Sequence, residues 1–186
     1  VNGRRPGSLA DFENALRLCQ SFDVIHKLGP CCEPQDVPVH LRHYDLTRSQ
    51  LALTDKFPFV YGRGRQQVEE CFEMICLALE LSDDEFANGV WSSTVVNTNS
   101  PRQIDRPMGQ ALIDFARAGQ MTVITPFCLS GAMAPVTVAG ALILQHAEAL
   151  GALVLTQLAR QGAPVVIGGF GSNVDMKSGA PAFGTP

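Results

Sequence analysis

Along this chain, stretches in which apolar residues recur every three or four positions alternate with short β-branched runs. Those are the periodicities of helix and strand. Ser8 caps a predicted helix reaching about Gln20, with Leu9, Phe12, Leu16 and Cys19 on one face. DVIHKLG reads as a short strand, CCEPQDVP as turns, and about 39–54 as a polar helix holding His40 and His43. FPFVY, from Phe57 to Tyr61, reads as a strand closed by Gly62 and Gly64. Residues 65–80 form an amphipathic helix with Val68, Cys71, Phe72, Ile75, Leu77 and Leu79 as its apolar set. Ser82, with Glu85 three residues on, is the capping box of a short helix. The strand VWSSTVV, a helix over about 107–118, the strand MTVIT, a long helix over about 135–159 and the strand VVIGGF follow in turn.

Strand–helix alternation of this kind predicts parallel strands joined by crossover helices. Two α/β architectures satisfy it: a doubly wound sheet, or a (β/α)8 TIM-type barrel. A closed barrel takes about 250 residues, whereas this chain has 186. The barrel reading therefore makes residues 1–186 a single domain, the N-terminal to middle part of an incomplete barrel. A start at Val1 and a final GAPAFGTP fit an internal fragment.

Between Ala118 and Ala147 the chain carries no Asp, Glu, Lys or Arg. Pro126, Ser130, Gly131 and Pro135 break that stretch into strand, loop and helix. Only Val136–Leu144 is uniformly apolar, well short of the roughly 20 residues of a membrane span, so no membrane segment is expected. A helix apolar on most sides must be covered on most sides. The barrel wall is the expected cover on one face and another subunit or a missing domain on the other, and a homo-oligomer is expected.

Composition narrows the chemistry. The net charge is −4 and 46% of residues are hydrophobic, and Arg4-Arg5 and Arg63-Gly64-Arg65 are the only basic clusters. Nucleic acid is therefore not an expected partner. The six cysteines form no CxxC pair and read as reduced thiols of a cytoplasmic protein. His40 and His43 stand at helical spacing without a carboxylate in register, so no metal site is expected. His146, in an apolar helix, reads as a hydrogen-bonded core residue. GGFGSN lacks the third glycine of a dinucleotide-binding turn.

In parallel α/β folds the chemistry gathers where strand C-termini meet the next loops. Those loops are 97–105, 125–135 and 169–186, rich in small and amide side chains. Asn97 and Asn99, with Thr98 and Ser100, either face a small ligand or build the turn before Pro101. Asp175 either meets a cationic substrate or pairs with Lys177 or caps a turn. Trp91, Phe127 and Phe170 either offer aromatic faces to a cation or pack in the core. Asn97, Asn99, Thr125, Phe127, Phe170 and Asp175 are expected to line one substrate cavity. No residue of the chain is assigned a catalytic role.

The strings EPQDVPVHLRHYDLTRSQLALTDK, NTNSPRQIDRPM, TPFCLSGAMAPVTVAGALILQHAEAL and GAPVVIGGFGSNVDMKSGAPAFGTP resemble the trimethylamine methyltransferase family over nearly the whole chain. The resemblance implies a (β/α)8 barrel that moves a methyl group from a methylated amine to the cobalt of a separate corrinoid protein. No cofactor is then bound directly; the corrinoid (cobalamin) is carried by the partner. Founding members carry pyrrolysine, at a position the resemblance puts past Pro186. Many relatives lack it and act on quaternary amines such as glycine betaine. Cys128 stands where the family pattern leads one to expect a residue such as Thr. Without the resemblance, a different barrel enzyme such as a lyase, or a non-catalytic methylated-amine binding protein, satisfies the same pattern.

Overall fold

The computed structural model describes residues 3–183. The chain divides into two compact units, Val1–Tyr61 with Arg65–Ser93, and Gly62–Gly64 with Thr94–Pro186.

The first unit holds α1 (Leu9–Gln20), α2 (Arg42–Leu53), α3 (Arg65–Leu79) and α4 (Asp83–Asn88). Ser8 and Asp11 close a capping box at the start of α1, and Arg5 pairs with Asp11 at 2.6 Å. The α2 helix packs against both α1 and α3. Phe12, Leu16, Leu46, Val68, Cys71, Phe72 and Ile75 are buried there. Full burial of a side chain such as Ile75 contributes about 2–3 kcal/mol.

Leu77 and Leu79 depart from the predicted apolar set: they are 80% and 45% exposed. The buried positions 68, 71, 72 and 75 follow the helical period and 77 lies on the opposite side, whereas 79 returns to the buried side only at the last residue of the helix. His43 Nε2 lies 2.6 Å from Glu70 Oε2. Neither DVIHKLG nor FPFVY becomes a full strand. Lys27 bridges Phe57 and Phe59 bridges Ser93, both in parallel sense. Pro58 has no N–H to extend the ladder, and the buried Gln50 side chain takes the place of a strand at Phe59. Its Nε2 donates to the Phe59 carbonyl at 2.9 Å, and its Oε1 accepts from the Phe59 amide at 2.8 Å. Trp91 likewise has a structural partner, its Nε1 donating to the Glu85 carbonyl at 3.1 Å.

The second unit is built from β1 (Ser93–Val96), α5 (Arg106–Arg117), β2 (Met121–Ile124), β3 (Phe127–Ser130), α6 (Val138–Ala159), β4 (Val165–Ile167) and β5 (Phe170–Asn173). One sheet has the order β1-β2-β4, with β2 and β4 parallel. A core of Val96, Ala111, Leu112, Ile124, Ala149 and Ala152 ties α5 and α6 to this sheet. Gly62 fits against it because a Cβ there would lie 2.5 Å from the Ala111 Cβ.

The segments 125–135 and 169–186, expected as loops, contain β3 and β5. These pair in parallel, Phe127 facing Phe170 through Ser130 facing Asn173. The sequence offset is the same as between β2 and β4, where Thr122 faces Val165. The pairing therefore runs on past Pro126, held by Gly168 N–H to the Ile124 carbonyl and Phe170 N–H to the Pro126 carbonyl. Proline interrupts the strand without shifting the register.

Helix α6 begins at Val138, two positions or so inside the predicted start, with Thr137 as N-cap accepting from the Gly140 amide. Its buried face is a narrow stripe of Ala141, Glu148, Ala149, Ala152 and Thr156. Val138, Ile143, Val154 and Leu158 are more than half exposed. By length and mean hydropathy (22 residues, 1.7) this helix is apolar enough to cross a membrane. Here it packs instead on α5, β2, β3 and β5. His146, expected in the core, is exposed, because it lies off that stripe.

Candidate functional site

Beyond the C-terminal ends of β2 and β4, the β3–β5 ladder and the first half of α6 enclose a cavity of about 660 Å³. Its aromatic wall is Phe170 and Phe183, its aliphatic side Val136, Val138 and Leu142, and its polar atoms come from Ser130, Gln145, Ser172 and Asn173. Among the described residues, no Lys, Arg, His, Asp or Glu lines it. Phe127 stacks on Phe170 with ring centroids 5.0 Å apart and planes 12° apart, while Phe183 meets Phe170 edge-on at 5.5 Å. Phe170 remains 46% exposed, so part of its ring is open to a ligand.

The glycines around Phe170 have a local purpose. Any Cβ at Gly169 or Gly171 would meet the Gln145 side chain. The glycine-rich turn GGFG therefore admits Gln145 from α6, and no phosphate cradle is needed to explain it.

Cys128 forms part of the cavity lining and is itself only 1% exposed. Its Sγ lies 3.0 Å from the Ser100 Oγ. Burial pushes this thiol's pKa up; the Ser100 hydrogen bond opposes that and the charge of Glu148 adds to it. Glu148 belongs to the α6 stripe and is 6% exposed. Its Oε2 accepts from Thr98 Oγ1 at 2.5 Å and from Ser100 Oγ at 2.7 Å, and its Oε1 accepts from the Arg102 amide at 2.6 Å. Three donors from one loop thus converge on one buried carboxylate, satisfying it as burial requires.

The residues expected to share one cavity are distributed differently. Phe170 lines it and Phe127 backs Phe170. Asn97, Asn99, Thr125 and Asp175 are not among the lining residues. Asn97 Nδ2 donates to the Thr125 carbonyl at 2.7 Å and to its Oγ1 at 3.1 Å, joining the two strand ends. Asn99 Oδ1 accepts from the Asp105 amide at 3.0 Å. Asp175 Oδ1 accepts from the amides of Lys177 and Ser178 at 2.8 and 2.9 Å. Those turn amides hold its pKa below the ordinary carboxylate range. Gln145 and Glu148 were not singled out by the sequence pattern. The signal available was their position: they are the first strongly polar side chains, with His146, in a helix otherwise apolar for most of its length.

The family model described as trimethylamine methyltransferase matches residues 1–186. The chain is 32% identical over 184 residues to a glycine betaine methyltransferase of Desulfitobacterium hafniense, covering 98% of this chain and 38% of that protein. It is 28% identical over 176 residues to a trimethylamine methyltransferase of another strain of that species, covering 95% and 35%. Against a trimethylamine methyltransferase of Methanosarcina barkeri it is 33% identical over 94 residues, covering 50% and 19%. The chain spans well under half the length of these relatives.

Proposed function

The chain belongs to the trimethylamine methyltransferase family, and from that premise we propose that the full-length protein transfers a methyl group from a quaternary methylated amine, such as glycine betaine, to the cobalt of a corrinoid protein. The observation that carries this reading is the cavity: an aromatic wall of Phe170, stacked on Phe127, and Phe183, with no cationic side chain in the lining among the described residues. Aromatic faces attract a methylated ammonium head, by up to about 2 kcal/mol when it is desolvated. A volume of about 660 Å³ is the size of a small-molecule site, which supports leaving the corrinoid to the partner protein.

A quaternary ammonium departs as a neutral tertiary amine, with the electron pair of the broken C–N bond staying on nitrogen. No proton has to be delivered. The corrinoid, when the partner docks, would supply the nucleophile that accepts the methyl. What this chain has to do is bind, orient and exclude water. Phe170 and Phe183 hold the head, Val138 and Leu142 keep it dry, and the Gln145, Ser130 and Ser172 side chains supply hydrogen bonds for the rest of the donor. The parallel strands of the second unit, with their cavity at the C-terminal end, support reading this fold as part of a (β/α)8 barrel, where sites lie at that end. Six unpaired cysteines support a cytoplasmic setting.

The test is methylation of cob(I)alamin by the full-length protein, followed by absorbance, with glycine betaine and trimethylamine as donors. Methylcobalamin formed with the betaine and abolished by Phe170→Ala is the expected result. Binding of the betaine without any methyl transfer would leave a binding protein instead.

A further inference from the structure

The Glu148 carboxylate is buried without a cation. Its three close donors, the Thr98 and Ser100 hydroxyls and the Arg102 amide, are neutral. No ion pair joins it to a Lys, Arg or His among the described residues. A carboxylate taken out of water without a counter-charge is costly unless something else neutralises its field. Glu148 Oε2 lies 4.0 Å from Cys128 Sγ, and Cys128 lines the cavity. The negative charge is thus one side chain beneath the cavity wall. On its other side Glu148 borders a smaller cavity of about 290 Å³, which Arg102 also lines.

We infer that Glu148 is the specificity-determining counter-charge for the ammonium head in the cavity, acting through the thiol of Cys128 rather than by contact. This rests on the methylated-amine reading above and adds to it the residue that distinguishes a charged head from a neutral one of the same shape. The aromatic wall binds a compact trimethyl head by its area and adds a cation–π preference that is the same in parent and variant, whereas the charge of Glu148 adds a separate share that acts only on the cation. At this range and in a partly desolvated space, one unit charge changes cation affinity by about tenfold or more.

The experiment is calorimetry on the full-length protein with glycine betaine and choline, each beside its tert-butyl isostere in which carbon replaces the charged nitrogen. The parent is expected to favour the charged member by about tenfold or more. Glu148→Gln keeps a side chain of the same shape and an acceptor oxygen, so it should bind the isosteres within about twofold of the parent while its preference for the charged member falls by about tenfold, to the share the aromatic wall supplies. An altered loop alone would weaken both members of each pair together. A preference unchanged in E148Q overturns the inference and leaves the methylated-amine reading standing. A parent that binds charged and neutral members equally overturns it too, whether or not the variant folds. A parent that binds none of the four overturns that reading with it.

Discussion

At the scale of single residues, what a side chain does here follows from what surrounds it more than from what it is. Cys71 and Cys128 are both buried thiols with raised pKa values. Cys128 lies beside a buried carboxylate and a cavity, whereas Cys71 lies inside the first unit, accepting a hydrogen bond from Thr47 Oγ1 at 3.2 Å. Burial pushes the Cys71 thiol up to about 11, from an ordinary value of 9.0. The sign of the linkage follows. Unfolding exposes a thiol that ionises near pH 9, while the folded one stays protonated to about pH 11. Stability from burying the neutral thiol is fully present below pH 9 and is lost as pH rises towards 11. Cys71→Ala should therefore lower stability at neutral pH through the small cavity it leaves, yet flatten the decline between pH 9 and 11. Urea unfolding midpoints of parent and variant across that range measure it. Parallel declines would show that the thiol does not titrate with unfolding.

At the scale of elements, caps decide where helices begin, and one of them also holds a candidate-site loop. The α5 helix starts after Asp105, whose side chain accepts from the Met108 amide at 2.8 Å. The Asp105 amide in turn donates to Asn99, so the cap and the 97–105 loop share one residue. Asp105→Ala removes an N-cap from a helix that buries Ala111, Leu112, Phe115 and Ala116, and should cost about 1 kcal/mol. Asp105→Asn keeps an acceptor and should cost only a few tenths. Denaturant unfolding of the two variants separates the readings: equal losses would mean that the charge, not the capping oxygen, is what the helix end needs.

At the scale of the whole molecule, the outward face of α6 is the open question. Ile143, Val154 and Leu158 form an apolar surface that water covers in the present chain. A contiguous apolar surface on a folded protein marks an interface. In the full-length protein that face is expected to be covered, by a further part of the protein or by a second copy. Ile143 is 71% exposed here, so by local environment alone Ile143→Lys would change stability by less than about 0.5 kcal/mol. Covered in the full protein, the same substitution buries a charge and should cost more than about 2 kcal/mol. Thermal unfolding of the full-length variant, with sedimentation of the parent to establish its subunit number, decides between the two.

Much of the helical framework was determined by the sequence alone, because capping and periodicity are local. Ser8, Ser82 and Asp105 lie at helix starts where their side chains find amides two or three residues ahead, and Val68 to Ile75 repeat at helical spacing. Parallel pairing was legible too, since β-branched runs separated by helices have few other ways to meet. The tertiary structure decided the rest, and each case has a non-local cause. FPFVY did not become a strand, because Pro58 lacks a donor and the Gln50 side chain satisfied Phe59 across nine positions. The loops after β2 and β4 became β3 and β5, since a shared register carried the pairing past Pro126. Within the candidate site, the aromatic pair Phe127 and Phe170 was legible as strand-end residues. Asn97, Asn99 and Asp175 were equally visible, but the same side chains that could face a ligand were taken by nearby amides and carbonyls. Glu148 was visible only as a polar interruption of an apolar helix, and its setting was not legible, because its partners Thr98, Ser100 and Arg102 lie some fifty positions away in the chain. Only the fold brings that loop over the helix, and only there does a lone carboxylate in an apolar segment become a satisfied charge beneath a cavity.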